Sequence, residues 1–256
     1  MTTDTFPKQI TVEIVLGDKP VRISGFAKGS GMIHPNMATM LAFVVTDANI
    51  SKSILSMALS DSVSDSYNMI SVDGDSSTND MVIAMANGSA GNPIIDTLEG
   101  DYEIFKKAFD YVNTELAKLI AKDGEGATKL LEVSLSNART QKDAKICAKA
   151  VISSNLVKSA FFGADANWGR ILCALGYSGG EFAPEKVDLF FENEVGKIQL
   201  VKDGAGLPFD EDYAKIILEH DYVNILIDLK DGSYNASAWG CDLTYDYVKI
   251  NGSYRS

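Results

Sequence analysis

The chain has 256 residues, of which 46% are hydrophobic and 23% are charged, and its formal net charge is −12. This composition predicts a folded protein with a sizeable core, and the acidic excess argues against binding to the phosphate backbone of nucleic acids. The sequence has no apolar run long enough to span a bilayer and no signal-peptide core at its start, and its three cysteines are widely spaced. We therefore expect a cytoplasmic protein with reduced thiols that is not inserted in a membrane.

The first half of the chain predicts several strands and two amphipathic helices. Alternating residues indicate a strand over 9–16 and a partner strand at 21–23 across the turn Gly17-Asp18. The apolar run 40–46 is typical of a buried strand. Further along, the patterns predict a helix over 51–67, a strand over 81–86, a long helix that ends at Gly124 and a strand over 130–135.

The second half continues the alternation of helices and strands. Its patterns predict a helix over 141–158, a short helix at 171–175, a hairpin of 187–192 with 197–201, a helix over 210–219, strands over 223–229 and 234–238, and a closing helix over 242–250. Interspersed elements of this kind favour an α/β (α+β) fold, a layered sandwich of helices packed on sheets. We expect two domains, residues 1–146 and 147–256, although no Pro- or Ser-rich linker separates them.

A metal site is not predicted. Asp73, Asp75 and Ser77 alternate as in an EF-hand loop, but Thr78 stands where that loop needs glycine and Ala84 where it needs glutamate. The stretch is better interpreted as a turn-rich loop. The two histidines and three cysteines do not have the spacing of zinc ligands.

Thr39 is the candidate nucleophile. It follows the small residue Ala38 in the segment 28–41, KGSGMIHPNMATML. A threonine becomes a good nucleophile when its own backbone nitrogen is a free amine, because that amine serves as the base beside the hydroxyl. Such an amine arises inside a chain only if the preceding peptide bond breaks. On the short pattern alone, the interpretation of Thr39 as a buried threonine at the start of a strand would be favoured over the nucleophile by roughly three to one.

The whole segment resembles the self-cleavage site of the ornithine acetyltransferase family (glutamate N-acetyltransferase) of arginine biosynthesis. The resemblance covers the chain and includes 1–8 (MTTDTFPK), 71–80 (SVDGDSSTND), 124–129 (GEGATK), 163–170 (GADANWGR) and 241–251 (CDLTYDYVKIN). It implies a fold of the DmpA and ornithine acetyltransferase type, with the nucleophile in residues 1–146. It also implies cleavage between Ala38 and Thr39, after which Thr39 carries an acetyl group from N-acetylornithine to glutamate.

The resemblance also assigns the substrate contacts. They are Thr2, Lys28, Thr39, Glu125, Asn251 and Ser256. Family members often end in threonine, and Ser256 keeps the hydroxyl group. A carboxylate at Glu125 suits the positively charged side chain of ornithine. An ammonium at Lys28 would lower the pKa of the Thr39 amine and so keep this base unprotonated.

Several partners follow from the same resemblance. No cofactor is expected, and acetyl-CoA is a second donor in the bifunctional members of the family, which the sequence does not separate from the ornithine-only members. Members assemble as heterotetramers of two α and two β chains. They carry a stretch before the position of Met1, with a Thr-Gly pair that supplies the oxyanion hole. We therefore expect that stretch, or a chain that contains it, to be a partner, and residues 1–256 alone to be a poor enzyme.

Two alternatives stay open. A self-cleaving aminopeptidase or amidase would use the same nucleophile and let water resolve the acyl-enzyme. The chain could instead be a folded but inactive remnant of the transferase. Glutamate should accelerate turnover in a transferase and leave a hydrolase unaffected.

We predict that Thr39→Ala abolishes cleavage, because the threonine Oγ is the group that attacks the carbonyl of Ala38. Intact-mass measurement should show one uncut chain for the variant, and N-terminal sequencing of the natural product should begin at Thr39. A break at another bond, or unimpaired cleavage in the alanine variant, would contradict the assignment.

Overall fold

A computed structural model describes residues 2–34 and 40–253. The strands in these ranges are β1 (Lys8–Leu16), β2 (Lys19–Lys28), β3 (Leu41–Thr46), β4 (Ile70–Ser71), β5 (Met81–Ala86), β6 (Leu130–Ala138), β7 (Asp188–Asn193), β8 (Gly196–Lys202), β9 (Ala205–Gly206), β10 (Tyr222–Asp228) and β11 (Tyr234–Cys241). The α-helices are α1 (Lys52–Asp65), α2 (Asp101–Lys122), α3 (Gln141–Ser153), α4 (Asn155–Phe162), α5 (Trp168–Gly176), α6 (Glu211–Leu218) and α7 (Tyr245–Ser253).

The smaller sheet has four strands in the order β1-β2-β3-β5. β1 and β2 form the predicted hairpin, with Leu16 opposite Lys19 and Gly17 in a left-handed conformation at φ 64°. β3 is antiparallel to β2, and Lys28 at the end of β2 pairs with Leu41 at the start of β3. The chain between these strands therefore leaves and re-enters the sheet at one end, which fixes both ends of the segment that contains Thr39.

The larger sheet has seven strands in the order β4-β11-β6-β10-β7-β8-β9. β10 and β11 follow one another in sequence, but β6 lies between them, parallel to β10 and antiparallel to β11. β4 and β6 precede residue 146 and the other five strands follow it, so this sheet takes strands from both sides of the domain boundary that the sequence suggested. That boundary stays a prediction.

The helices complete a layered arrangement. α2 packs on β1 and β2 and also contacts β6 and β11, so it lies between the two sheets. On the α2 side of the larger sheet, Lys118 pairs with Glu132 and stacks over the ring of Trp239. On the other side, α3 is so close that a Cβ added at Gly240 would lie 2.7 Å from Cγ1 of Ile152. Sheet, helices, sheet and helices alternate, which confirms the predicted α/β sandwich.

One predicted helix was wrong in its extent. The helix expected over 141–158 is two helices, because Ser154 takes an extended conformation and its side chain accepts a hydrogen bond from the N–H of Val157. A serine that caps the next helix competes with continuation of the preceding one. The closing helix also begins at Tyr245 instead of residue 242. Within the described residues, no helix is long and apolar enough to cross a bilayer.

A buried ion-pair cluster joins the N-terminal strand to the rest of the fold. The ammonium of Lys8 is fully buried, lies 2.8 Å from a carboxylate oxygen of Asp4 and also pairs with Asp123 at the C-terminal end of α2. Asp4 in turn accepts a hydrogen bond from the backbone N–H of Gly29 (2.8 Å). Burial alone would raise the pKa of the Asp4 carboxyl, but the Gly29 N–H and the Lys8 ammonium bring it down to about 2.

We predict that Lys8→Met lowers the free energy of unfolding by about 3–5 kcal/mol, because it leaves two buried carboxylates without their counter-charge. Urea unfolding monitored by circular dichroism measures the change. Lys19→Met on the same hairpin is the matched control, since Lys19 pairs with Asp18 at the surface at 3.7 Å. Such exposed pairs contribute about 0–1 kcal/mol. Equal effects of the two substitutions would contradict a special role for the buried cluster.

Candidate functional site

The predicted nucleophile lies outside the described residues. Ala38 and Thr39 fall within 35–39, and Ser256 falls within 254–256, so the site is built from the residues around them. On the C-terminal side of the segment, the N–H of Met40 donates to Oδ1 of Asp80 at 2.7 Å. This bond fixes the first described residue after Thr39.

The loop between β4 and β5 holds the residues on the other side of the segment. The carboxylate of Asp73 accepts hydrogen bonds from the N–H groups of Met32 (2.6 Å) and Ile33 (3.0 Å). Met32 has a left-handed backbone at φ 53°, a strained conformation for a side chain of this kind. The Ser76 hydroxyl donates to the carbonyl of His34 at 2.9 Å. The turn-rich loop, for which the sequence suggested no role, therefore positions residues 32–34.

Gly29 lies between the two ends of the segment. It has φ 142°, and a Cβ added there would lie 3.1 Å from Cδ1 of Ile33 and 3.4 Å from Cα of Met40. A side chain at this position would push the two ends apart. Lys28 immediately precedes it and pairs in the sheet with Leu41, so the backbone of Lys28 is adjacent to the residues that follow Thr39.

Glu125 and Asn251 are brought together. Glu125 follows α2, and its N–H donates to the carbonyl of Ser30 at 2.9 Å. Its Oε2 accepts a hydrogen bond from Nδ2 of Asn251 at 2.7 Å, which ties α7 to the site. A Cβ added at Gly31 would lie 2.3 Å from the carboxyl carbon of Glu125, so only glycine lets this carboxylate pack so closely against the chain that follows Lys28.

Thr2 joins the same region through Asp4. Its backbone N–H donates to Oδ2 of Asp4 at 3.2 Å, and Oδ1 of Asp4 accepts from Gly29. The predicted contact residues that the structure describes therefore surround the chain from residue 28 to 34. Their part in substrate binding stays a prediction.

Tyr247 is a site residue that the sequence did not reveal. It lies on α7 and hydrogen-bonds with Asp73; burial and the charges of Asp73, Asp75 and Glu125 raise its pKa to about 12. The phenol is therefore neutral near pH 7 and donates to Asp73. With Asn251, it gives α7 two polar contacts to the loops that flank the segment 35–39.

Asp80 is a second residue that sequence reasoning missed. Its Oδ2 is buried and accepts no hydrogen bond from any residue that the structure describes. Burial raises the pKa of Asp80 to about 6, against the lowering effects of the Met40 N–H and the Lys28 ammonium. A carboxyl group with this pKa can exchange a proton near neutral pH, and it is hydrogen-bonded to Met40, the residue that follows Thr39 in the sequence. Its only sequence signal was an aspartate at the end of a turn-rich loop.

His34 is neutral near pH 7. Burial and the ammonium of Lys149 lower its pKa to about 4. Its Nδ1 lies 3.0 Å from the hydroxyl of Ser71 and 3.4 Å from that of Ser153. These ring contacts are with hydroxyl groups, whereas a Ser-His-Asp arrangement orients its histidine with a carboxylate.

Comparisons with known proteins show the family of this chain. All of the chain, residues 1–256, matches the ArgJ family. This chain belongs to the ArgJ family. It is 62% identical to the arginine biosynthesis bifunctional protein ArgJ 1 of Clostridium acetobutylicum and 55% identical to the protein ArgJ of Caldanaerobacter subterraneus, in both cases over 100% of this chain. The match spans 63% and 64% of these two relatives, so the chain corresponds to less than two thirds of their length.

A solved structure shows the same fold. The crystal structure of the arginine biosynthesis bifunctional protein argJ from Bacillus halodurans matches with a TM-score of 0.79 at 47% identity. The match covers 83% of this chain and 98% of that chain. The family and the fold class that the sequence predicted are therefore confirmed.

We predict that Asp80 makes stability depend on pH. Because its folded-state pKa of about 6 is above the reference value of 3.8, the folded protein binds this proton more tightly than the unfolded chain. The free energy of unfolding should therefore fall as the pH rises from 3.8 to about 6, and Asp80→Asn should remove that part of the pH dependence. Urea unfolding of both proteins between pH 4 and 7 tests this, and equal slopes would show that Asp80 is not responsible.

Proposed function

We propose that the protein containing this chain transfers an acetyl group from N-acetylornithine to glutamate through an ester on Thr39. Membership of the ArgJ family supports a role in arginine biosynthesis. The observation that carries the proposal is the Glu125–Asn251 pair, which packs against Gly31 beside Lys28. A carboxylate, Glu125, and an ammonium, Lys28, thus accompany the predicted nucleophile. A substrate that carries both an ammonium and a carboxylate requires such a pair of opposite charges.

Self-cleavage would prepare the nucleophile. Thr39 Oγ attacks the carbonyl carbon of Ala38, the C–N bond breaks, and an ester and a free amine form. Water then hydrolyses the ester, which leaves a carboxylate on Ala38 and an amine and a hydroxyl group on Thr39.

Acetyl transfer would follow in two steps. The Thr39 amine, with a reference pKa near 8, accepts the hydroxyl proton as Oγ attacks the acetyl carbonyl. The acetyl C–N bond breaks, the proton passes to the departing amine of ornithine, and the acetyl ester remains on Thr39. The amine of glutamate then attacks this ester, and its proton returns to the threonine oxygen. Each step conserves the acetyl group and needs no cofactor.

The charged residues have complementary parts in this scheme. The Glu125 carboxylate pairs with the side-chain ammonium of ornithine, and the Asn251 hydrogen bond keeps the carboxylate oriented. The Lys28 ammonium pairs with a substrate carboxylate, a group that N-acetylornithine and glutamate share. Thr2 and Ser256 are further contacts in this proposal, as is assembly into a heterotetramer of two α and two β chains.

We predict that Glu125→Gln weakens the binding of N-acetylornithine by roughly tenfold or more, since a hydrogen bond to a charged group contributes about 1.5–3 kcal/mol. Calorimetric titration measures the dissociation constant. Glu103→Gln is the matched control, because Glu103 is exposed in the first turn of α2 while Glu125 follows the other end of that helix. Unchanged affinity in Glu125→Gln would show that Glu125 is an ordinary loop residue that does not contact the substrate.

The dependence on glutamate tests the reaction itself. The protein that carries this chain should convert N-acetylornithine and glutamate to ornithine and N-acetylglutamate, and the peptide that begins at Thr39 should gain one acetyl group when glutamate is withheld. Release of acetate at a rate that glutamate does not change would identify a hydrolase. If neither N-acetylglutamate nor acetate is formed, the proposed activity is wrong.

A further inference from the structure

Lys158 on α4 is a buried polar residue that the proposed chemistry leaves unused. Only 1% of its surface is exposed. Lysine is almost never fully buried unless it is paired, because it is costly to move its charge and its N–H donors out of water. Lys8 has two carboxylate partners, whereas no carboxylate among the described residues forms an ion pair with Lys158. Lys158 therefore lacks the compensation that stabilises Lys8, and its other contacts have to explain its position.

The contacts of Lys158 are with the ends of two paired strands. Its Nζ donates to the backbone carbonyl of Val72, which follows β4, and to Sγ of Cys241 at 3.6 Å, at the end of β11. β4 and β11 are parallel neighbours in the larger sheet. The backbone carbonyl of Lys158 also accepts a hydrogen bond from the N–H of Leu243 at 3.3 Å. One residue of α4 thus binds both strands where they leave the sheet.

Val72 is also bound to the residues that precede the segment 35–39. Its N–H donates to the carbonyl of Ile33 at 2.6 Å. The carboxylate of the next residue, Asp73, accepts the N–H of Ile33 at 3.0 Å. Both polar groups of the Ile33 backbone are therefore bound by residues 72 and 73, and Lys158 holds the carbonyl of Val72. A displacement of Val72 would disturb all of these bonds.

The same two partners of Lys158 pack against the loop that carries Glu125. A Cβ added at Gly124 would lie 2.6 Å from Sγ of Cys241 and 3.1 Å from Cγ1 of Val72. A side chain at Gly124 would therefore displace one of these partners or the loop itself. Because Gly124 immediately precedes Glu125, the positions of Val72 and Cys241 restrict where the backbone of Glu125 can lie.

We propose that Lys158 is a positioning residue for the candidate site. Its Nζ fixes Val72 and Cys241. These two contacts then place the backbone of Ile33 and of Glu125. The consequence for turnover rests on the proposed acetyl transfer, whereas the structural consequence does not. A group with three N–H donors on a long stem suits this task, because it must reach acceptors on two strands at once.

Lys158→Met tests the inference by hydrogen exchange, because methionine is also long and unbranched but has no N–H donor. The variant is made in the protein that carries this chain. Mass spectrometry should show that peptides from 30–34 and 71–73 exchange about tenfold faster or more, as expected for one lost hydrogen bond to a charged group. Peptides from β10, which Lys158 does not contact, should exchange as in the natural protein.

Lys129→Met is the matched control. Lys129 is also buried, and its Nζ donates to a backbone carbonyl of α4, that of Phe161, at 2.7 Å. Its Nζ binds neither Val72 nor Cys241 in the described structure. This variant should therefore leave the exchange of 30–34 and 71–73 unchanged.

Turnover gives the second readout. With N-acetylornithine and glutamate as substrates, kcat should fall by about tenfold or more in Lys158→Met, because a displaced site loses rate even when every reacting group is present. It should stay near the natural value in Lys129→Met. The urea midpoints of the two variants should be similar, since a merely structural role would lower stability and loosen all peptides together.

The outcomes separate this inference from the proposed function. Unchanged exchange in 30–34 and 71–73 would overturn the inference, and so would faster exchange with unchanged turnover. If Lys158→Met does not fold, Cys241→Ala takes its place, because it removes one acceptor and keeps the lysine. The same two regions should then loosen before the rest, and uniform loosening would overturn the inference. If the natural protein transfers no acetyl group, the proposed function is refuted, and the exchange pattern alone decides the role of Lys158.

Discussion

The buried ammonium of Lys8 is the interaction on which the candidate site depends. It pairs with Asp4 from the N-terminal segment and with Asp123 from the end of α2, and Asp4 also binds the N–H of Gly29. Three segments that are remote in sequence thus meet at one charge. Because loss of one member leaves an uncompensated charge in the interior, the three segments keep their relative positions. Glu125 is two residues after Asp123, so the ion pair of Asp123 with Lys8 also restricts where Glu125 can lie.

This cluster also determines what a break before Thr39 would leave in place. Lys8 and Asp4 lie on the N-terminal side of that bond, and Asp123 lies on the C-terminal side. The pairing of β2 with β3 crosses the same division. Both products would therefore remain joined by an ion pair and a strand ladder. On the N-terminal side of that bond, Met32 has a left-handed backbone and its N–H donates to Asp73.

Local patterns in the sequence predicted most strands and helices, because alternation and helical spacing report the faces that each element buries. The interruption at Ser154 was missed because the apolar spacing continues across it, while a single side-chain cap decides the break. Long-range pairing was beyond such patterns, as the insertion of β6 between β10 and β11 shows. The same limit concealed the roles of Asp73 and Asp80. Their partners, Met32 and Met40, are 40 residues or more away in sequence.

Charges of both signs lie near the ends of the segment 35–39, with Asp73 and Asp80 on the acidic side and Lys28 on the basic side. The net charge of −12 repels anionic substrates at a distance, but salt screens that field over about 10 Å at 0.1 M ionic strength. Within that range individual groups matter, and the ammonium of Lys28 is close enough to lower the pKa of Asp80. Asp80, with a pKa of about 6, is partly protonated at slightly acidic pH and then opposes an anion less. An acidic protein can thus receive a substrate carboxylate beside Lys28, because salt screens the repulsion of distant charges more than the attraction of a close one.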